Sequence, residues 1–472
     1  METPLRDLFE NPGLMVDGKP VFKSIQKASL RQIADLCRQS GDISSCENLQ
    51  PVPSIFNHTA SLPLGGDRYP CESISCRLQK LKELAQFAAL YSDKVYVRNF
   101  LNDYADEEHL TKLDKDLVLD KFQKDLIVFS TLLPLIEAGK VQLITFQKIC
   151  PHCLSLQSLQ QNAGPQYDKA SKDLEKRYYS EVDYSLRYRE GALVLEARGP
   201  EILVPHGESH YISRDMTQLG IPAAHLIKKT KAAGEVKLTS AQAKRIKAAK
   251  HFFGPVIDSI AFELGGAHFL KTSYLSDSEL EVNFIRNVTT DPIARRRTTL
   301  MMKYLTCLIP FIDSVDTSKL ITLRADEHES FALFRSALNK AIHEYKVHGD
   351  TLTQRDAQAI YADIIQPRLA ALDAKIRAAK RRFVKKSMRE ILGWTGAISF
   401  GYYTGIFTGS PFAGAAAFGA AKAGAELLES TMTKSDVKET IKQDDMYFLW
   451  RVKELAYARE SISGPSNIFF HK

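Results

Sequence analysis

Apolar residues in this chain recur with two different periods, and the switches between them mark out its elements. From Ser73 onward, Leu78, Leu81, Leu84, Phe87 and Leu90 fall three apart, the spacing of one helix face turned toward a core. A shorter helix is expected at 24–38, within a stretch (1–72) otherwise broken by Pro51, Pro53, Pro63, Gly65 and Gly66. Lys94–Val97 reads as a strand. A long helix is expected over 116–138, with Gly139 as the residue just past its end. Pro134 should kink its last turn or end it early. Val141–Phe146 reads as the next strand, which makes a βαβ unit.

Between 182 and 213 the period drops to two. VDYSLRY, ALVLEA and EILVP, separated by Glu190-Gly191 and Gly199-Pro200, read as an antiparallel meander. From about residue 222 the helical period returns, with helices expected at 239–262, 292–312 and 328–346. The longest runs from 353 to 389. In it Ile365, Leu369, Leu372, Ile376, Ala379 and Phe383 alternate by four and three, a heptad-like seam, with Pro367 as a kink or a second start. The expected class is α+β, predominantly helical: a mixed N-terminal α/β part, a small antiparallel sheet, and a helical C-terminal half. The segments read as 1–72, 73–165, 166–220, 221–350, 351–390, 391–429 and 430–472.

Charge sharpens this picture. The chain carries +7, and between Arg368 and Glu390 nine basic residues face two acids, so that helix alone holds the whole surplus. The other 449 residues sum to neutrality. That argues against wrapping nucleic acid along the entire length and for one basic element aimed at one polyanion. The expected contacts are Lys380, Arg381, Arg382, Lys385 and Lys386.

Directly after it, Ile391–Ala421 runs 31 residues without a charge. Gly401, Gly405 and Gly409 form GxxxGxxxG, Pro411 interrupts, and Ala415, Gly419 and Ala423 repeat small residues every four positions. Each helical Gly costs about 1 kcal/mol relative to Ala, so this seam needs a closely approaching helix in return. The pattern reads as a Gly/Ala-rich helical hairpin. The run is long enough to cross a bilayer but is diluted by Thr, Ser, Tyr and Gly. Two readings stand: a membrane-active hairpin docked by the basic helix, or a hairpin buried in the protein's own core. Trp394, Tyr402 and Tyr403 are residue types of the membrane interface. Residues 426–445 carry a net −3 that could shield the basic helix at rest.

Candidate chemistry is sparse. Cys150-Pro151-His152-Cys153 resembles the active-site motif of thioredoxin-like disulfide oxidoreductases, a resemblance of four residues that implies redox chemistry. Paired instead with Cys71 and Cys76, it would make a four-sulfur zinc site. Idle thiols are the third reading. His206-Gly-Glu-Ser-His210 carries two histidines four apart, but Pro205 and Gly207 put it in a loop, where the helical zincin geometry fails. Asp93, Asp103 and Asp106-Glu107-Glu108 flank the first strand of the βαβ unit, where carboxylates could hold Mg²⁺ for hydrolysis. No GxxxxGK[ST], GxGxxG or GxSxG occurs, which disfavours standard ATPases, Rossmann enzymes and α/β-hydrolases.

The N-terminus METPLRDLFENPG has no basic-then-apolar leader, and seven cysteines suit a reducing compartment. The stretch 320–345 is similar to patterns in bacterial proteins. The leading expectation is a cytoplasmic bacterial effector, of toxin or antiviral-defence type, at or inducible to the inner membrane and able to self-associate through the hairpin. Its partner would be anionic lipid. The alternatives are a soluble protein binding nucleic-acid phosphates through the basic helix, and a metal-dependent hydrolase or nuclease.

Overall fold

The computed structural model describes residues 5–45, 54, 56–60, 73–145, 164–189, 192–204, 207–213, 224–276, 278–288, 305–345, 354–379 and 441–460. It is a predominantly helical α+β protein. The chain divides into two units: Met1–Leu305 with Asp350–Leu352, and Thr306–Gly349 with Thr353–Lys472.

The first unit opens with α1 (Leu5–Glu10), a tight hairpin of β1 (Met15–Val16) and β2 (Lys19–Pro20), α2 (Phe22–Lys27) and α3 (Leu30–Ile43). The single helix expected at 24–38 is therefore two. Ser29 breaks it by accepting a hydrogen bond from the Gln32 backbone N–H, which starts α3 afresh. There follow β3 (Asn57–Ala60), α4 (Ile74–Leu90), β4 (Lys94–Arg98), α5 (Glu107–Thr111), α6 (Lys115–Glu137) and β5 (Val141–Ile144). Strands β3, β4 and β5 pair in parallel, and β10 (Ser273–Leu275) joins beside β3.

Val95, Tyr96 and Val97 are all buried, as expected of a strand covered on both faces. Strand β3 is central yet polar: Asn57, His58 and Thr59 are buried, with His58 Nδ1 2.9 Å from Ser92 Oγ and Thr59 Oγ1 2.6 Å from Thr272 Oγ1. Helix α6 keeps Pro134 within its last turn and ends as expected. Gly139 has φ 65°, and the N–H groups of Gly139 and Lys140 bond the carbonyls of Ile136 and Leu135.

Between α4 and α6 lies a buried ion pair. Arg77 donates to Asp125 at 2.7 Å, and the hydroxyl of Tyr104, just past β4, donates to the other carboxylate oxygen. A second buried polar network docks α3 to the carboxyl edge of the sheet. Asn99 Nδ2 donates to Ser44 Oγ at 2.8 Å and to Ser40 Oγ at 3.1 Å, while Ser44 Oγ meets Thr145 Oγ1 at 2.7 Å.

An antiparallel sheet follows α7 (Gly164–Glu181). Its order is β8 (Glu208–Ser213), β7 (Ala192–Arg198), β6 (Asp183–Arg189), β9 (Glu235–Lys237). Of the segment EILVP, expected as the third strand, residues 201–204 form instead a turn begun at Pro200, whose carbonyl accepts from the N–H groups of Leu203 and Val204. The third strand is β8, in the region read as a loop. Tyr184, Leu186, Leu193, Leu195 and Ala197 face a core shared with Tyr178 of α7, Leu226 of α8 (Ala224–Ala233) and Phe252 of α10 (Lys250–Phe269), and Val236 of β9 is buried as well. The helix expected at 239–262 is also broken. Helix α9 (Ser240–Arg245), closed at its start by a Thr239–Gln242 capping box, ends at a turn where Lys247 adopts φ 53° before α10 begins. Helix α11 (Glu279–Val288) follows β10.

The second unit packs α12 (Thr317–Asp326), α13 (His328–Tyr345), α14 (Gln354–Ile360, continuing to 379) and α15 (Tyr447–Glu460). The heptad-like seam holds over Ile365, Leu369, Leu372 and Ile376, which are buried; Ala379 is half-buried, and Phe383 lies outside the described residues. A π turn over Tyr361–Ile365 precedes Pro367, and it contains Asp363, whose carbonyl a proline four residues later would otherwise strike. Phe448 packs edge-on to Phe331 at 5.1 Å, and the buried Arg324 guanidinium lies 4.0 Å from the Phe331 ring centre.

Removing one member of a buried ion pair strands the other charge, at a cost of about 3–5 kcal/mol. Arg77→Ala is therefore expected to lower the urea unfolding free energy by that amount. A drop under about 1 kcal/mol would mean that Tyr104 alone satisfies Asp125.

Candidate functional site

Strand alternation places one row of charged residues on the outer face of the antiparallel sheet. Opposite the core-facing positions stand Ser185 and Arg187 on β6, Glu196 and Arg198 on β7, Glu208 and His210 on β8, and Glu235 on β9. The register makes Glu196 the direct neighbour of His210 and of Ser185, Arg198 that of Glu208, and Arg187 that of Glu235. Glu196 is 2% exposed despite lying on this outer face. Arg187 reaches it at 3.1 Å and Glu235 at 3.1 Å, while Arg198 reaches Glu208 at 3.1 Å. Hydrogen bonds from Arg198 and Arg187 hold the Glu208 and Glu235 carboxyls below their ordinary range.

Glu196, Glu208 and His210 could hold a metal ion. His210 Nε2 lies 3.3 Å from Glu208 Oε1 and 3.6 Å from Glu196 Oε1. Those spacings match the edge of a tetrahedral zinc shell, about 3.3 Å for metal–ligand bonds near 2.0 Å. The same two oxygens are already ion-paired with Arg198 and Arg187. A cation would have to displace both guanidinium groups, so the arrangement as it stands is a cross-strand charge ladder. His210 sits on a strand, and His206 lies outside the described residues. The signal that sequence reading missed was the alternation of Glu208 and His210, which pairs with Glu196 and Arg198.

The other expected site residues are distributed as follows. Cys76 is half-buried in the first turn of α4, whereas Cys71, Cys150 and Cys153 lie outside the described residues. Cys37 is fully buried, and burial pushes its thiol well above the usual range, with the Asp125 and Asp103 charges adding to the rise. The expected carboxylate group is split. Asp93 precedes β4 and accepts from Ser54 at 2.8 Å, Asp103 lies past the other end of β4 and pairs with Arg98 at 2.7 Å, and Asp106 caps α5. They do not form one metal site. Lys380, Arg381, Arg382, Lys385 and Lys386, and the seam Gly401, Gly405, Gly409, Ala415, Gly419 and Ala423, lie outside the described residues.

What borders that segment is well defined. Lys375 pairs with Asp444 at 3.0 Å and Arg368 with Asp445 at 3.0 Å. The Trp450 indole N–H donates to Asp373 at 2.9 Å. On the other side, Lys442 pairs with Glu327 at 3.0 Å, and the Lys442 carbonyl accepts from Ser330 at 3.0 Å. The two chain ends bounding 380–440 are thus fastened together.

Comparison with protein-family models, with curated proteins and with solved structures finds no match to this chain.

Glu208 and Glu235 have depressed folded-state pKa values, so the stability they add is present above the ordinary carboxylate range and is lost as pH falls through those depressed values. Thermal melts of wild type should therefore weaken below about pH 4. In Arg198→Ala, which frees Glu208 toward its ordinary value, that acid-side decline should be shallower. Parallel curves would show that the ladder contributes nothing.

Proposed function

We propose that this protein is a cytoplasmic bacterial effector, of toxin or antiviral-defence type, that acts on membranes through residues 391–429, with the basic end of the 353–389 helix as its dock on anionic lipid. The observation that carries the reading is the pair of ion bridges from Asp444 and Asp445 to Lys375 and Arg368. They hold together the two ends of an interval whose core is 31 residues without charge. The Trp450–Asp373 hydrogen bond joins the same two ends independently of those bridges, so the interval is read as leaving and returning on one side. That suits a hairpin inserted from one face, and it does not suit a single crossing.

The energies fit a releasable state. Arg368, at 47% exposed, and Lys375, at 66%, form solvent-facing bridges, which contribute about 0–1 kcal/mol each. A basic residue gains about 1 kcal/mol near an anionic membrane surface. The acidic stretch that ends at Asp445 is therefore balanced against lipid and does not lock the helix away from it. A glycine seam also gives two hairpins a surface on which to self-associate once inserted.

Two measurements test this. Asp444→Asn with Asp445→Asn should strengthen binding to vesicles containing phosphatidylglycerol by roughly three- to thirtyfold, the equivalent of up to about 2 kcal/mol, and leave binding to neutral vesicles unchanged. Gly405→Leu should abolish dye leakage from anionic vesicles while the melting temperature holds. Unchanged leakage beside a lowered melting temperature would mean a seam buried in the protein's own core, where overpacking costs about 1–3 kcal/mol, and would refute the membrane reading.

A further inference from the structure

The neutrality of the chain outside the 368–390 helix is a sum, and it hides a second concentration of charge. Between Ala224 and Lys250 stand eight basic residues and one acid, Glu235, a surplus of seven equal to that of the C-terminal helix. Lys228, Lys229 and Lys231 lie on α8, Lys237 on β9, Lys244 and Arg245 on α9, Lys247 in the turn after it, and Lys250 at the start of α10. All eight are exposed. We infer that this exposed segment of the first unit binds the phosphate backbone of nucleic acid, independently of base sequence and of the C-terminal basic helix.

A solvated helical face normally interleaves its charges, as α7 does with Arg177 and Glu181 at 2.8 Å. Here no ion pair engages any of the eight cations among the described residues, and the single acid is turned to Arg187 at 3.1 Å. Among the described residues no ion pair relieves the mutual repulsion within the segment, and an approaching polyanion would relieve it while releasing its counterions.

The cations are also positioned. Lys231 Nζ sits 4.9 Å from the Tyr188 ring centre and Lys244 Nζ 5.9 Å from that of Tyr179. Lys247 occupies the left-handed position after α9, φ 53°, where glycine is the unstrained choice, so a charged side chain is kept where the backbone would favour none.

A lipid surface is the weaker partner for the same charge. An interfacial helix needs large apolar side chains facing outward to enter the headgroup layer. In 224–250 the apolar positions turn inward: Leu226, Val236, Ala243 and Ile246 are buried, and no large hydrophobic residue of the segment is exposed. What accompanies the cations outside is Ala232, Ala233, Gly234, Thr239, Ser240 and Ala241, small or hydroxyl-bearing residues that let a backbone approach closely.

The test is fluorescence anisotropy of the full chain with a fluorescein-labelled 20-base-pair DNA duplex and the RNA duplex of the same sequence, which tells the two sources of backbone apart. Substituting Lys228, Lys229, Lys231, Lys244, Arg245 and Lys247 with Gln should weaken binding to the preferred duplex at least tenfold. The dependence of log affinity on log salt should flatten by about 0.9 for each phosphate that the variant no longer neutralises. Changing the same five lysines to Arg should keep both affinity and slope, which separates charge from fold. The inference is overturned if wild type binds neither duplex, if the Gln variant binds as tightly as wild type, or if the Arg variant fails to bind as well. It is also overturned if the Gln variant releases phosphatidylglycerol vesicles while keeping the duplex. Changing Lys380, Arg381, Arg382, Lys385 and Lys386 to Gln should leave duplex affinity within twofold; abolished binding there would move the interaction to the other helix and defeat the inference, without touching the hairpin's leakage assay.

Discussion

The buried contact of Arg77 with Asp125, joined by Tyr104, ties three elements of the first unit to one carboxylate. Each ion on its own would cost several kcal/mol to bury, and the pair persists because both ends of the Asp125 carboxylate are engaged, one by Arg77 and one by Tyr104. Arg77 belongs to α4, Asp125 to α6 and Tyr104 to the turn after β4. The two crossover helices and the strand between them are therefore locked in one register, which apolar contacts alone would leave freer to slide. Burial lifts the Cys37 thiol and the same carboxylate adds to the rise, so that thiol is held neutral and enclosed.

The sequence made the long-period features legible. The βαβ unit, the end of α6 at Gly139 and the buried seam Ile365–Leu369–Leu372–Ile376 all follow from repeats strong enough to dominate their windows. What it concealed has a common physical cause. Strand β3 is Asn-His-Thr-Ala and is buried through hydrogen bonds to Ser92 and Thr272, partners that lie far along the chain. Strand β10 is three residues long and acquires its identity only beside β3. The helix breaks at Ser29 and Lys247 depend on caps, which a hydrophobic period does not record. Strand β8 was hidden because the Pro and Gly before it signal a turn, and the turn is real but ends sooner than the pattern suggested.

The site was less legible than the fold. Grouping acids by their nearness to β4 ignored that a strand separates its two ends, so Asp93 and Asp103 face different edges. The Glu196–Glu208–His210 cluster could be found only from register, because its members lie on two strands whose pairing sequence alone does not set. Net charge misled in a similar way. Summation over hundreds of residues cancelled a segment of exposed lysines against acids elsewhere, whereas an approaching polyanion responds to charge within about a Debye length, roughly 8 Å at physiological salt.

Two basic segments of equal surplus thus differ in kind, and the difference lies in their partners. On the C-terminal helix, Arg368 and Lys375 are matched to Asp445 and Asp444 by direct contact, and Arg377 lies 3.9 Å from Asp373. Contacts at such distances are screened less by salt than charges a Debye length apart, so this helix carries its own competitor for any anionic surface. The 224–250 segment carries none among the described residues, and its one acid is already engaged by Arg187. A surface without an internal competitor attracts a polyanion whenever one is present, with an affinity set by salt. A surface with one responds only when the external field exceeds the internal pairing. The first arrangement suits constitutive capture of a ligand and the second a conditional response. On the two proposals made above, the chain carries an unpaired basic segment and a self-paired one in separate units.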